Sequence, residues 1–145
     1  LVTRLLKKKN CTLKILQDSE DSEYFGVLNK NFMKKEKITP ADFDKIEMRT
    51  GTILTASVFT KAHKPAYILT IDFGELGILK SSAQISDLYN VDDLPGRQII
   101  AVTNFPPKQI ADIMSECLVL GVVNADNKVV LLTPDRQIPN GLLIS

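Results

Sequence analysis

Apolar and polar residues alternate through much of the chain after residue 46. Tyr67, Leu69 and Ile71 fall on one side of a two-residue period, and Ile68, Thr70 and Asp72 on the other. That is the signature of a strand with one buried face. The same pattern predicts strands over 47–60, 67–73, 78–85, 97–104 and 117–124, and a shorter apolar run over 128–132. Gly51 interrupts the first strand, where a bulge or bend is expected. Turns are predicted at 60–66, 74–77, 92–96 and 125–127, and a helical turn at 86–90. A short helix is expected at Thr39. Thr39 can cap it, Pro40 suits the first helical position, and Asp42 puts negative charge near the N-terminal dipole. Phe43 and Ile46 lie three apart and are expected to pack on the core.

Three strands, a short helical segment and two more strands give the order of an OB-fold. The predicted architecture is therefore an all-β, five-stranded OB-fold barrel with short flanking helices and terminal extensions. Such barrels bind ligands on strands two and three and at the loops after strands one and four. Here those parts are 67–73, 78–84, 60–66 and 105–116. Pattern alone leaves another small β-barrel or sandwich of similar spacing open. The loop after strand four opens with Asn104-Phe105-Pro106-Pro107 and closes with Ser115-Glu116. The paired prolines cannot donate ladder hydrogen bonds and end the strand. The loop is longer than a connection needs, which is common in binding loops, and an ordinary surface loop is the alternative.

The chain has 145 residues with 44% hydrophobic content, enough for one real core. No apolar run approaches the roughly 20 residues that span a bilayer, so no membrane insertion is expected. The basic start LVTRLLKKKN lacks the apolar region of a secretory signal. Residues 1–32 contain the charged break QDSEDSE and hold no period. They are expected to be a leader, poorly ordered or not native, that adds little stability. The functional protein is expected to begin at Met33, with residues 33–145 forming the binding domain; an extension packed on the barrel is the alternative. Residues 1–38 carry nine Lys/Arg against five Asp/Glu, and residues 39–145 carry nine against twelve. The barrel is thus mildly acidic, which disfavours nonspecific nucleic-acid affinity without excluding a shape-specific RNA complex. Cys11 and Cys117 are far apart in sequence, outside any C-x-x-C context, and His63 is the sole histidine. These features argue against a disulfide framework, a zinc site and nucleophilic catalysis. The expectation is a cytoplasmic protein with reduced thiols, no cofactor and no enzymatic activity.

The segments FDKIEMRTGTI, AYILTIDFG, KSSAQI, VTNFPPKQIA, SECLVLG and the closing PNG, in that order, resemble CsaA-type export chaperones. These belong to the tRNA-binding OB-domain family, which includes domains of methionyl- and phenylalanyl-tRNA synthetases and of EMAP-II-type cytokine precursors. The resemblance covers about residues 38–145. It implies a homodimer joined through segments flanking the barrel. It implies two kinds of ligand, unfolded or preprotein segments and tRNA. By motif it places Ser82 and its neighbours, Asn104, Lys108, Ser115 and Glu116 at the ligand, with Lys61 and Lys64 as additions. RNA-binding relatives often carry a glycine and a basic or aliphatic residue before the Ser-Glu pair. Here the run is Ala111-Asp112-Ile113-Met114, which brings repulsion for phosphate and a flexible apolar group.

The ligand-binding candidates are therefore Lys61, Lys64, Ser82, Gln84, Asn104, Phe105, Lys108, Met114, Ser115 and Glu116. Each has a plain structural reading as well. Ser82 and Gln84 can hydrogen-bond within the barrel mouth, Asn104 can satisfy loop backbone, and Phe105 can plug the core. The lysines can be solvated surface charges. A polypeptide would use Phe105, Ile110 and Met114, and RNA would use the three lysines. A purely structural adaptor is the third class.

Overall fold

The computed structural model describes residues 34–145. The expectations for residues 1–32, for Met33 and for Cys11 lie outside the described residues. Thr39 caps the helix α1 (Pro40–Phe43) through a reciprocal box with Asp42: the Thr39 hydroxyl accepts from the Asp42 N–H at 3.3 Å, and the Asp42 carboxylate accepts from the Thr39 N–H at 3.1 Å. Lys45 and the Thr39 bonds hold the Asp42 carboxyl down at about 2. The expected packing of this helix on the core is not found. Phe43 and Ile46 are both exposed, because the helix ends after one turn and turns neither side chain inward.

The strands are β1 (Met48–Val58), β2 (Tyr67–Asp72), β3 (Ile78–Ala83), β4 (Gln98–Val102) and the short β7 (Leu118–Val119). They form one antiparallel sheet in the order β3-β2-β1-β4-β7. Two hairpins stand beside it, β5 (Lys108–Ile110) with β6 (Ile113–Ser115), and β8 (Gly121–Val123) with β9 (Val129–Leu131). The expected fifth strand over 117–124 is thus split at Leu120, where the backbone changes partner from β4 to β9. The sheet curls until β3 faces the β6–β7 junction. There the Glu116 N–H donates to the Lys80 carbonyl at 2.8 Å, which nearly closes the barrel. This is the five-stranded OB-type barrel the alternation predicts. Among the described residues, no helix is long and apolar enough to cross a membrane.

Strand β1 serves two neighbours. Met48–Thr52 pair with β4 and Thr52–Val58 with β2. The bulge lies between Ile53 and Thr55, with Leu54 the extra residue, and not at Gly51 as expected. Gly51 is required for space instead: a Cβ there would stand 2.7 Å from the Phe73 ring. The β2 alternation is as read, with Tyr67, Leu69 and Ile71 buried and the residues between them half-buried. Ile53, Leu69, Ile71, Phe73, Leu94 and Ile99 are fully enclosed. Burying each such side chain stabilises the fold by about 1.5–3 kcal/mol. Tyr67 and Tyr89 lock the far side. The Tyr67 hydroxyl donates to the Tyr89 carbonyl, and the Tyr89 hydroxyl accepts from the Leu131 N–H.

The closing PNG holds the other end of the barrel. The Asn140 side-chain oxygen accepts from Thr52 Oγ1 at 2.7 Å and Gln98 Nε2 at 3.2 Å, while its nitrogen donates to Asp72 at 2.8 Å. One amide thereby ties β1, β2 and β4 together. The Gly141 N–H donates to the Thr50 carbonyl, and Gly141 has φ +85. A Cβ at Gly141 would collide with the Phe73 carbonyl oxygen. The tail continues as an extra antiparallel bridge between Leu143 and Arg49.

Replacing Asn140 with Ala leaves Asp72 and Thr52 without their partner and is expected to cost about 1–3 kcal/mol. The check is a fall in urea midpoint at unchanged m value. Gly141→Ala should be worse, since it adds backbone strain to the collision. A midpoint unchanged by either substitution would show that the joint is dispensable.

Candidate binding cavity

Pro106 and Pro107 end the path of β4 and start a turn away from the sheet. The loop predicted for 105–116 does not stay irregular. It forms the β5–β6 hairpin, with pairs Lys108↔Ser115, Gln109↔Met114 and Ile110↔Ile113 around a two-residue tip, Ala111-Asp112. Ala111 carries φ 47, which lets a two-residue tip match the strand twist. The hairpin is joined to the barrel at its base and tip. At the base, Glu116 brackets Lys80: its N–H donates to the Lys80 carbonyl and its carboxylate accepts from the Lys80 N–H, each at 2.8 Å. The Ser115 hydroxyl accepts from the Ser82 N–H at 3.3 Å, and the buried Ser81 hydroxyl donates to the Cys117 carbonyl at 2.9 Å. At the tip, the Lys61 ammonium pairs with the Asp112 carboxylate. That bond holds the Asp112 carboxyl below its usual range.

Between hairpin and barrel lies an open cavity of about 700 Å³. Phe105, Pro106, Pro107, Ile110 and Leu118 give it an apolar lining, and Ser82, Ser115, Glu116 and Cys117 line it from the barrel. Lys108 and Gln109 complete the lining. Phe105 and Leu118 are each about half exposed, at 52% and 50%, so apolar surface faces water here. Burial pushes the Cys117 thiol up to about 12, so it stays protonated near neutral pH.

Five sequence candidates meet at this cavity: Ser82, Phe105, Lys108, Ser115 and Glu116. The other five do not. Lys64 and Gln84 line a second cleft of about 270 Å³ with Asp87 and Asn127. Lys61 is engaged by Asp112. Asn104 holds the segment before β1: its nitrogen donates to the Lys45 carbonyl at 2.8 Å, and its oxygen accepts from the Glu47 N–H at 3.0 Å. Met114 is exposed and lies on the opposite face of the hairpin from Ile110, because the β5–β6 register pairs it with Gln109. Strand β2, expected to contribute to the site, supplies none of the lining. Pro106, Pro107, Gln109, Cys117 and Leu118 line the cavity without being among the site candidates, and Ile110 joins them as the expected polypeptide contact. The paired prolines themselves marked that wall, since they force the chain off the sheet.

A family model described as "Putative tRNA binding domain" matches residues 48–142. The crystal structure of the chaperone CsaA from Bacillus anthracis is 50% identical, with a TM-score of 0.73, and the match covers 76% of this chain and 100% of that one. The chain belongs to the CsaA-type tRNA-binding domain family. The CsaA chaperone protein from Picrophilus torridus is 52% identical, with a TM-score of 0.70 over 75% of this chain and 100% of that one. Methionine–tRNA ligase 1 of Bacillus anthracis is 35% identical over 114 residues, or 77% of this chain. The match spans only 16% of that ligase. The family's members thus include both whole small chaperones and short parts of long ligases.

The Lys61–Asp112 pair predicts a titration. A carboxyl whose pKa is depressed in the folded state contributes above its ordinary range and loses that contribution as pH falls through the depressed value. The hairpin tip should therefore stay tethered at pH 5 and come loose well below about pH 4. Lys61→Met should raise the Asp112 titration, followed by carboxyl NMR, toward the ordinary aspartate range. Identical Asp112 curves in both proteins would mean that the pair does not form in solution.

Proposed function

We propose that this domain is a non-enzymatic binding protein that takes unfolded or preprotein segments into the cavity beneath the β5–β6 hairpin, as a CsaA-like chaperone in protein export. Residues 33–145 make up the binding domain in this reading, and the setting is the cytoplasm. The observation that carries it is the half-exposed apolar wall of Phe105, Pro106, Pro107 and Ile110 around a cavity of about 700 Å³. A cavity of that size and character suits apolar side chains. Lys108 lines it as well and can meet a negative charge on a client.

The family match to a tRNA-binding domain favours a second reading, in which the domain binds tRNA. Lys64 and Lys108 would supply phosphate contacts. Lys61 is the weaker donor, since Asp112 already holds its charge.

The two readings separate by salt. Binding of reduced, carboxymethylated α-lactalbumin, followed by fluorescence, should persist at about 0.5 M salt, where charge interactions are screened to a few ångströms. Phe105→Ala should weaken it roughly tenfold or more, given the apolar area lost. Filter binding of bulk tRNA should instead fall with a log–log slope of about −2 to −4, at roughly −0.7 to −0.9 per neutralised phosphate. Lys108→Gln should flatten that slope by about one for each engaged copy. Micromolar tRNA binding with that slope, and no salt-resistant client binding, would reverse the ranking.

A homodimer is the second part of the proposal. Phe43, Ile46, Leu142 and Leu143 are exposed apolar residues at the two ends of the described chain. Exposed apolar patches of this kind mark interfaces. Light scattering of the full chain at micromolar concentration should give a dimer mass. Leu143→Asp, which keeps the backbone bridge to Arg49, should shift it toward monomer. A monomer mass for the unaltered chain would remove the dimer.

A further inference from the structure

The cavity wall is unusual in its backbone as well as its side chains. In the β5–β6 hairpin the two-residue tip makes Ile110↔Ile113 a hydrogen-bonded pair. Pairing alternates along an antiparallel ladder, so Gln109↔Met114 is a non-bonded pair. The N–H and C=O of Gln109 therefore point away from β6, along the outer edge of β5. Among the described residues no strand lies there, since β5 pairs only with β6. Among the described residues, the backbone groups of Phe105, Pro106, Pro107 and Gln109 make no hydrogen bond outside the hairpin ladder. Pro106 and Pro107 have no N–H to offer, so this stretch presents mainly carbonyl acceptors. The same residues line the apolar cavity.

An unpaired strand edge beside an apolar pocket has a specific complement. It needs donors and acceptors spaced as in an extended backbone, with apolar side chains on alternate residues. Polypeptide offers that arrangement; RNA has no repeating backbone N–H. We propose that a client segment binds extended, as an added strand on the outer edge of β5, hydrogen-bonded to the backbone of Gln109, with alternate apolar side chains in the cavity lined by Phe105, Pro107, Ile110 and Leu118. The proposal rests on the polypeptide reading above and adds the mode of recognition. Main-chain bonds supply affinity that ignores client sequence. The pocket asks only for an apolar residue at every second position. An edge of three residues accommodates a short segment, so a client engages one stretch at a time.

The test uses the full chain and a soluble nonapeptide of alternating leucine and serine, blocked at both ends and fluorescently labelled. Single backbone N-methyl groups are placed in turn along the peptide. An N-methyl removes one donor and leaves the side chains as they were. The expected result is a periodic pattern: methylation at the residue facing Gln109 weakens binding roughly 3–10-fold, and methylation one residue away changes it less than twofold. Gln109→Pro removes the edge N–H at a position without a β6 partner and should give a comparable loss at unchanged melting temperature. Peptide binding that is indifferent to N-methyl position overturns strand addition and leaves the polypeptide reading standing. No binding of this peptide together with no binding of carboxymethylated α-lactalbumin overturns both. Should Gln109→Pro unfold, the methyl scan alone decides. A Gln109→Pro protein that loses tRNA and keeps the peptide counts against the proposal.

Discussion

The Asn140 side chain is the joint on which the barrel depends. Its one amide reaches Thr52 on β1, Gln98 on β4 and Asp72 on β2. Three strands that are far apart in sequence are thereby fixed in one relative height. That height sets the β1–β2 and β1–β4 registers, and a slip of one residue in either would turn every buried side chain outward. The approach of Gly141 to the Phe73 carbonyl brings the amide within reach, and the missing Cβ at Gly51 leaves room for the Phe73 ring. The polar joint and the apolar core are thus one arrangement. Phe73 fills the barrel only because two glycines stand clear of it.

Closure on the other side is made differently. Where a longer strand would complete the ladder, the chain uses the side chain and N–H of Glu116 to bracket Lys80. Ser81 and Ser115 add bonds to the Cys117 carbonyl and the Ser82 N–H. Side-chain closure takes fewer residues than a ladder does. It frees the chain to leave the barrel as a hairpin before returning as β7. The cavity exists because of that excursion, and its floor is the closure itself.

The barrel was legible because its signal is local. Alternation in β2, the proline-turn punctuation and the Thr39–Asp42 box each follow from residues a few positions apart. The split at Leu120 was not legible, since a run of apolar residues looks the same whether it keeps one partner or takes two. The hairpin was hidden for a related reason: a three-residue strand is too short to show a period, and Ala111 gives no sign of its positive φ. At the site, residue type alone does not say whether a polar group serves a ligand or the fold. Asn104 and Glu116 carry polar groups that could meet a ligand, and the fold consumes them in holding Lys45, Glu47 and Lys80. Only long-range contacts, with partners 36 to 59 positions away, separate the two uses.

The two-residue tip and the serine–glutamate base make the β5–β6 hairpin a cassette. Its ladder is self-contained, and its attachments are a few bonds at residues 115–116 and one ion pair at Asp112. Substitutions between Pro106 and Met114 leave the Asn140 joint, the Phe73 core and the Lys80 bracket untouched. A duplicated copy of this gene could drift in that cassette and acquire a different ligand preference on an unchanged barrel. The fold thus separates the residues that natural selection must hold from those it is free to rewrite.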